Sequence, residues 1–440
     1  MYKSLFIILI LFTGICLAQK SLFTLSKTDS IRIDSITITG NNITKEFVIR
    51  RELTFKKGDM LNKKLIDYNK ERIFSLGLFN KVKLNLERKT PSYTKLNIDV
   101  AESWYIYPLP FLTLRDNTIK RASYGLILLY KNFRGRNETI KGIATFGYNP
   151  TFALSYFNPV LHTGSNFMMG FDLIYSKIQN QNLISENSFG DDFEYKIVSS
   201  DINIGYRIDL YNKISAITSY EYYQVPKVVS NLTATKTSID RTLSFGLFYT
   251  YDTRNLKQYS NDGIYSEAYY SHKGFGINKI SYNIFSFDFR HYKILFGDLS
   301  GKWRVLYRHT FGATIPFYEL SLLGDRLNIR GHKFQRREGH NSLLTSFELN
   351  YPIVKEWDLS LDIPLLPKQL TSARIALYAN AFLDGGVTYN NDEPLAINRF
   401  DSGFGFGITL LILPYNAFRF EYAFDEYGKG EFILESGFSF

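Results

Sequence analysis

Apolar and polar side chains alternate one by one along most of this chain. In Ile202-Asn203-Ile204-Gly205-Tyr206-Arg207-Ile208-Asp209-Leu210 every second residue is apolar and the rest are polar or glycine; Phe418, Phe420, Tyr422 and Phe424 repeat the pattern against Arg419, Glu421 and Asp425. A period of two marks a strand with two unlike faces. Sixteen such segments follow Trp104, near residues 105–115, 122–132, 137–149, 151–160, 165–178, 194–210, 213–225, 238–252, 263–273, 279–293, 297–311, 342–352, 373–386, 401–411, 417–424 and 431–440. Each is near or above the roughly 9–11 residues that carry a tilted strand across a bilayer. One segment alone fits a soluble sandwich equally well. Sixteen in succession predict a closed transmembrane antiparallel β-barrel, because an open edge in lipid leaves backbone N–H and C=O groups unpaired at a cost of several kcal/mol each. An even strand number returns the chain end to the side from which it started.

The residues before Trp104 have a different pattern. Ile31–Ile38 alternates as one strand and ends at Gly40-Asn41-Asn42. Thr44 is placed to cap a short helix through Leu53, and Asn62 a longer one with Leu65, Tyr68, Ile73, Leu76 and Phe79 near one face, with Gly58-Asp59 turning between them. Two alternating strands follow, Lys81–Arg88 and Thr94–Val100, joined by a turn at Pro91. This predicts a small α+β domain over residues 31–103, a linker at 19–30 before it, and the barrel over 104–440.

Residues 1–18 read as a signal peptide: Lys3, the apolar run Leu5–Leu17, and Cys16-Leu17-Ala18 ahead of Gln19 as a cleavage site. Cys16, the one cysteine, also raises a lipoprotein anchor, against which Ile15 is large for the residue preceding a lipidated cysteine. The mature chain would then hold no disulfide.

Composition agrees with a barrel. Aromatic residues make up 16% of the chain, with 32 Tyr and 37 Phe, while mean hydropathy is only −0.15. A helical membrane protein would be far more apolar, and no second long apolar run follows residue 20. The net charge of +10 is concentrated in the first hundred residues without a helix-turn-helix, zinc or RNA-binding signature, so it predicts a solvated basic surface and no nucleic acid. The six histidines (162, 272, 291, 309, 332, 340) show no metal-ligand spacing, no nucleophile motif stands on an elbow, and neither an enzyme nor a cofactor is expected.

The strand–helix–helix–strand–strand order, with Gly58-Asp59 and Gly77-Leu78-Phe79 at its turns, resembles a POTRA domain. Its open sheet edge offers unpaired backbone groups to an added strand; a rigid spacer is the alternative role. In the barrel, Pro316-Phe317-Tyr318-Glu319-Leu320, Leu323-Gly324-Asp325 and Ile329-Arg330-Gly331-His332 resemble the inward-folding loop of the BamA/TamA superfamily of outer-membrane assembly and translocation barrels. Asp252-Thr253-Arg254-Asn255 with Asp262-Gly263, Phe347-Glu348-Leu349-Asn350-Tyr351-Pro352 and Phe382-Leu383-Asp384-Gly385-Gly386 resemble further family segments in the same order. One departure is His332, where the family has Phe or Tyr.

The resemblance implies that Arg330, beside Gly331, meets acidic groups on the barrel wall. Alternation independently puts Glu348 and Asp384 on the polar, lumen-facing side of their strands. A planar guanidinium suits that role better than an ammonium because its fork holds carboxylates in a fixed geometry. The loop lock is therefore expected at Arg330, Gly331, Glu348 and Asp384. A purely structural seat for the loop is the alternative. The family also implies a weak lateral seam between first and last strands. Pro108 and Pro110 remove ladder donors from the first, unless they form a hinge between domains, and Gly437 permits a kink in the last. Phe438 and Phe440 complete the alternation of Phe432 and Leu434, resembling the C-terminal recognition strand of outer-membrane proteins.

These features imply an outer-membrane protein of a Gram-negative bacterium with its POTRA domain in the periplasm. It would assist insertion or translocation of unfolded or extended client polypeptides, in contact with outer-membrane lipid and with a periplasmic or lipoprotein accessory partner. The alternatives are a two-partner-secretion transporter and a passive porin; a porin needs neither a POTRA domain nor an inserted arginine loop.

Overall fold

The computed structural model describes residues 30–90, 93–114, 119–180, 182–190, 193–324, 327–333 and 335–437. The expected signal peptide, Pro91, Asp325 and the terminal Phe438 and Phe440 lie outside them. The N-terminal domain comprises β1 (Ile31–Arg32), β2 (Ser35–Thr39), α1 (Glu46–Arg50), β3 (Met60–Leu61), α2 (Lys63–Phe74), β4 (Phe79–Thr90) and β5 (Tyr93–Glu102). A sheet ordered β2-β5-β4 sets Ile36 beside Leu96 and Ile38 beside Ile98 in parallel, and Leu84 opposite Ile98 antiparallel. Val48, Ile49, Ile73 and Phe74 of the helices are buried with these residues.

Three local expectations change. The strand expected over 31–38 breaks in two because Ile33 N donates to Asp59 O (3.1 Å) and the Asp34 carboxylate accepts from Thr94 N (2.8 Å). Thr44 does not cap α1: Lys45 holds that position, and Thr44 Oγ1 donates instead to Glu102 Oε1 at 2.6 Å. The second helix ends at Phe74, so Leu76 lies past it and Phe79 opens β4. Asn62 does cap α2, accepting from Leu65 N at 2.8 Å.

From Ile106 the chain forms one sixteen-stranded antiparallel sheet. Its strands are β6 (Ile106–Leu114), β7 (Ala122–Phe133), β8 (Glu138–Gly147), β9 (Thr151–Asn158), β10 (Phe167–Gln179), β11 (Glu194–Arg207), β12 (Asn212–Gln224), β13 (Ile239–Asp252), β14 (Gly263–Lys273), β15 (Tyr282–Phe296), β16 (Leu299–Gly312), β19 (Asn341–Ser360), β20 (Ser372–Tyr389), β21 (Asp401–Leu413), β22 (Asn416–Asp425) and β23 (Gly430–Ser436). Each pairs with its neighbour in sequence order. Within the segment between β16 and β19, β17 (Ser321–Leu323) and β18 (Arg337–Gly339) form a small separate hairpin. All sixteen strands read from alternation are present.

The two faces of the sheet are inverted relative to a soluble protein. On β13, Leu243, Phe245, Leu247 and Tyr249 are 40–44% exposed, whereas Thr242 and Ser244, which flank Leu243, are 0% and 3% exposed. Apolar side chains out and polar side chains in is the arrangement hydrocarbon requires. Among the described residues no helix is long and apolar enough to cross a membrane; the crossing is made by strands.

The N-terminal domain sits against the rim where β6 begins. Its apolar core runs on into the barrel, with Phe74, Leu78 and Phe79 clustered with Leu256 and Tyr259 of the β13–β14 turn and with Leu411 and Leu413. Polar contacts ring this junction: Lys45 N donates to Gly135 O (2.8 Å), Arg207 Nη1 to Glu52 Oε1 (2.7 Å), Lys257 N to Ser75 Oγ (3.0 Å) and Arg374 Nη1 to Glu71 Oε2 (2.6 Å). The β19–β20 hairpin is longer than alternation suggested. It projects past the last rungs to its neighbours, Ser300 with Asn350 and Arg374 with Leu413.

Candidate functional site

The described residues of the segment 313–340 enter the lumen from the far rim. β17 and β18 zip the segment into a hairpin, Leu323 opposite Arg337, and a turn at its end, closed by His332 N donating to Ile329 O (2.8 Å), presents Arg330 to the wall. The tip enters apolar surroundings too, with Leu323 and Ile329 packed on Leu344 of β19.

Arg330 is almost completely buried. Its Nε and Nη2 donate to both oxygens of Asp384, at 2.7 and 2.8 Å. Nη1 donates to Glu348 Oε2 (3.0 Å) and Glu421 Oε1 (3.1 Å), and the backbone N adds a bond to Asp384 (3.1 Å). The guanidinium carbon lies 3.6 Å from the centre of the Phe382 ring. Three carboxylates around one cation would be unbalanced; Lys302, 3.3 Å from Glu348, and Arg419, 3.8 Å from Glu421, supply two more positive charges. Neutralising every charge with a partner is what permits ionised groups in a dry interior.

Two glycines make the seat possible. Gly331 has φ +100°, and a side chain there would meet Phe424 O at 2.6 Å. A Cβ on Gly403 would fall 1.7 Å from Arg330 O, so β21 must be bare where the loop backbone crosses it.

The loop also grips the last strand. Gly331 N and Lys333 N donate to Glu431 Oε1 at 2.8 and 3.1 Å, and Lys333 Nζ pairs with Glu435 at 3.0 Å. Farther back along the loop, Glu319 accepts from Arg308 of β16 (3.0 Å) and lies 3.6 Å from Lys273 of β14. The loop is thereby tied across the lumen from β14 and β16 to β23.

His332 packs beside Gln335 and Glu426, its Nε2 at 2.6 Å from Glu426 Oε2. Burial lowers its proton affinity, but the hydrogen bonds to Gln335 and Glu426 outweigh this and raise it above the ordinary value. Glu426 is correspondingly held below the usual carboxylate range: burial raises it, and its hydrogen bonds and the imidazole overcome that. Ligand atoms of His332, Asp401 and Glu426 lie within 4.8 Å of one another, a grouping invisible in their sequence spacing. Arg337 ion-pairs with Asp401 and lies 3.2 Å from His332 Nδ1, so the cluster reads as a hydrogen-bonded latch.

The structure brings Arg330, Gly331, Glu348 and Asp384 together. Glu421, Lys302, Gly403, Glu431 and Glu435 were not singled out from sequence as part of the lock; Glu421 could have been, since it lies on the polar face of the Phe418–Phe424 alternation. Pro108 and Pro110 lie in β6, opposite Leu128 and Leu126 of β7. Gly437, at φ +127°, donates to Ala417 O at 2.8 Å and so continues the pairing of β23 with β22. Among the described residues no ladder joins β6 to β23.

Residues 132–440 match the family model described as Omp85 superfamily domain, and residues 31–103 match that of the POTRA type, surface antigen variable number repeat. The chain belongs to the Omp85 superfamily. Its fold is similar to BamA from Haemophilus ducreyi lacking POTRA domains 1-3 (TM-score 0.54, 16% identity, covering 92% of this chain and 84% of that one). It is also similar to CdiB from Escherichia coli (0.54, 11%, 92% and 75%) and CdiB from Acinetobacter baumannii (0.50, 14%, 92% and 73%). As an Omp85 protein it is an outer-membrane β-barrel with its POTRA domain in the periplasm, which makes the domain-side rim periplasmic and places the loop's entry on the outside.

Proposed function

We propose that this Omp85 barrel assists insertion or translocation of client polypeptides, with the POTRA domain as the docking module and the locked loop as the element that organises the lumen and the seam. The observation that carries this is the tie from Arg330 and Gly331 to β20, β22 and β23, beside a first and last strand that share no described ladder. A strand held by its lumenal side chains to a loop and, among the described residues, by backbone pairing to β22 can part from β6 without unravelling the rest of the sheet. An exposed edge then templates an extended client strand. Clients or an accessory partner in the periplasm add to the outer edge of β2, which among the described residues pairs in the sheet with β5.

Ion pairs join the inward loop to the lumenal wall, and the POTRA domain is bonded to several turns of the periplasmic rim, which disfavours a passive porin. Depletion of the protein followed by quantitative outer-membrane proteomics tests the reading. Loss of many barrels indicates assembly and loss of one exported protein indicates dedicated secretion; an unchanged protein inventory refutes both.

A further inference from the structure

The β19–β20 hairpin keeps two distinct faces past the periplasmic rim. On β20, Arg374, Ala376, Tyr378 and Asn380 are buried on the lumenal side. The outward register is carried by Tyr351 opposite Ala379 and Val354 opposite Leu377, with Tyr351 and the bulged Ile353 52–54% exposed. Further down, Ile375 opposite Trp357 is buried, and Leu359 and Ala373 line a cavity shared with Gly40, Lys81 and Val100 of the POTRA domain. Beyond the last rung the apolar alternation continues into the tip, where Leu361, Ile363 and Leu366 are 42–49% exposed and Leu365 fully so.

The polar side of the same ribbon is bound to the POTRA domain. Asp358 pairs with Lys81 (2.7 Å), Arg374 with Glu71 (2.6 Å), and Gln369 O accepts from Asn80 Nδ2 (2.8 Å). The same Gln369 carbonyl accepts from Tyr415 OH of the β21–β22 turn at 2.5 Å, so the base of the tip lies level with the barrel rim. The adjacent β15–β16 turn adds exposed Ile294, Leu295 and Phe296 and is joined to the ribbon by Lys355 with Asp298 (2.8 Å).

We infer that the hairpin is a membrane strut: its tip, Leu361 to Leu366, is immersed at the headgroup boundary of the periplasmic leaflet, while its polar side fixes the POTRA domain beneath the rim. The occupant of the apolar tip is phospholipid, because the ribbon that carries it also presents exposed Tyr351 and Ile353 and is tied to exposed Ile294, Leu295 and Phe296 at the end of β15, on the wall that already faces lipid. Contiguous apolar surface at a rim is where membrane proteins meet the interface.

The test uses the full chain in a Cys16→Ser background, with an environment-sensitive fluorophore on Leu365→Cys, in nanodiscs of phosphatidylethanolamine and phosphatidylglycerol. Lys57→Cys, exposed on the POTRA domain, is the aqueous reference. The label at 365 should emit to the blue of the reference and be quenched by lipids carrying a nitroxide near the headgroup. In the Leu365→Asp, Leu366→Asp protein, a label on Ile363→Cys should lose that quenching while the barrel keeps its heat-resistant fold in detergent. Emission and quenching at 365 equal to those at 57 would overturn the strut. So would a blue shift that appears only when periplasmic extract is added, which points to a soluble partner instead.

Discussion

Replacing Arg330 with alanine removes the one cation that touches all three lumenal carboxylates. The side chain makes two bonds to Asp384 and one each to Glu348 and Glu421, all between 2.7 and 3.1 Å. Without it, the ion partners of Asp384, Glu348 and Glu421 among the described residues are Lys302 and Arg419, leaving one buried negative charge uncompensated. Breaking a buried pair from one side costs about 3–5 kcal/mol. The four bonds are not summed separately, because water entering the lumen recovers part of each. At roughly 1.4 kcal/mol per factor of ten, the ratio of seated to unseated loop falls by about two to three and a half decades. Limited proteolysis of the loop from the outer face, on protein reconstituted in vesicles, reads this ratio directly when opening is fast relative to cleavage. Cleavage should accelerate by about a hundredfold or more, with Arg330→Lys between wild type and alanine because it keeps the charge but loses the fork. A folded Arg330→Ala barrel whose loop resists protease as well as wild type would refute the energetic role of the lock.

Four further outcomes are expected. Glu431→Gln weakens the bonds from Gly331 and Lys333 to the last strand, a charged-acceptor loss of about 1.5–3 kcal/mol, and should speed amide exchange in β23 ahead of β20; uniform exchange would contradict the grip. A disulfide between Tyr107→Cys and Gly437→Cys should block client handling if the seam parts, and full activity in the crosslinked form would count against opening. The His332–Glu426 latch has a pH window: the raised histidine contributes fully below its ordinary value of 6.5 and loses its contribution as pH rises through the higher folded value. The depressed Glu426 contributes above 4.5 and loses its share as pH falls through its lower folded value. Protease resistance of the loop should therefore peak between those limits, and His332→Phe should flatten the alkaline side. Glu52 lies between Arg72 (2.8 Å) and Arg207 (2.7 Å). Burial pushes its carboxyl up, but Arg207, Lys257 and Arg72 hold it below the ordinary range, so its contribution to POTRA docking is present above 4.5 and lost in acid. Glu52→Ala should broaden spin-label distances between the POTRA domain and the rim at neutral pH, and unchanged distances would refute that anchor.

The strand inventory was legible in the sequence because lipid imposes a strict two-residue period on every crossing, and sixteen repeats leave little ambiguity. The inward orientation of Glu348 and Asp384 followed from the same parity. Helix ends and caps were less legible: Thr44 has the chemistry of a cap, yet Glu102, 58 residues on, competes for its hydroxyl. The long β19–β20 ribbon was hidden because Pro352 and two bulges interrupt the alternation at the point where the strand leaves its neighbours.

What the sequence determined by itself was therefore the periodic part: an outward apolar face, an inward polar face, and an arginine in a loop long enough to reach them. Parity had already placed Glu348 and Asp384 on the face that arginine meets; the rest of the loop's setting was decided by tertiary structure. Glu421 and Glu431 come from strands 91 and 100 residues away, Lys302 balances charge from β16, and Gly403 matters only because the loop backbone crosses β21 at that rung. Such pairings depend on sheet register, which places distant residues side by side through backbone hydrogen bonds that no short stretch of sequence encodes.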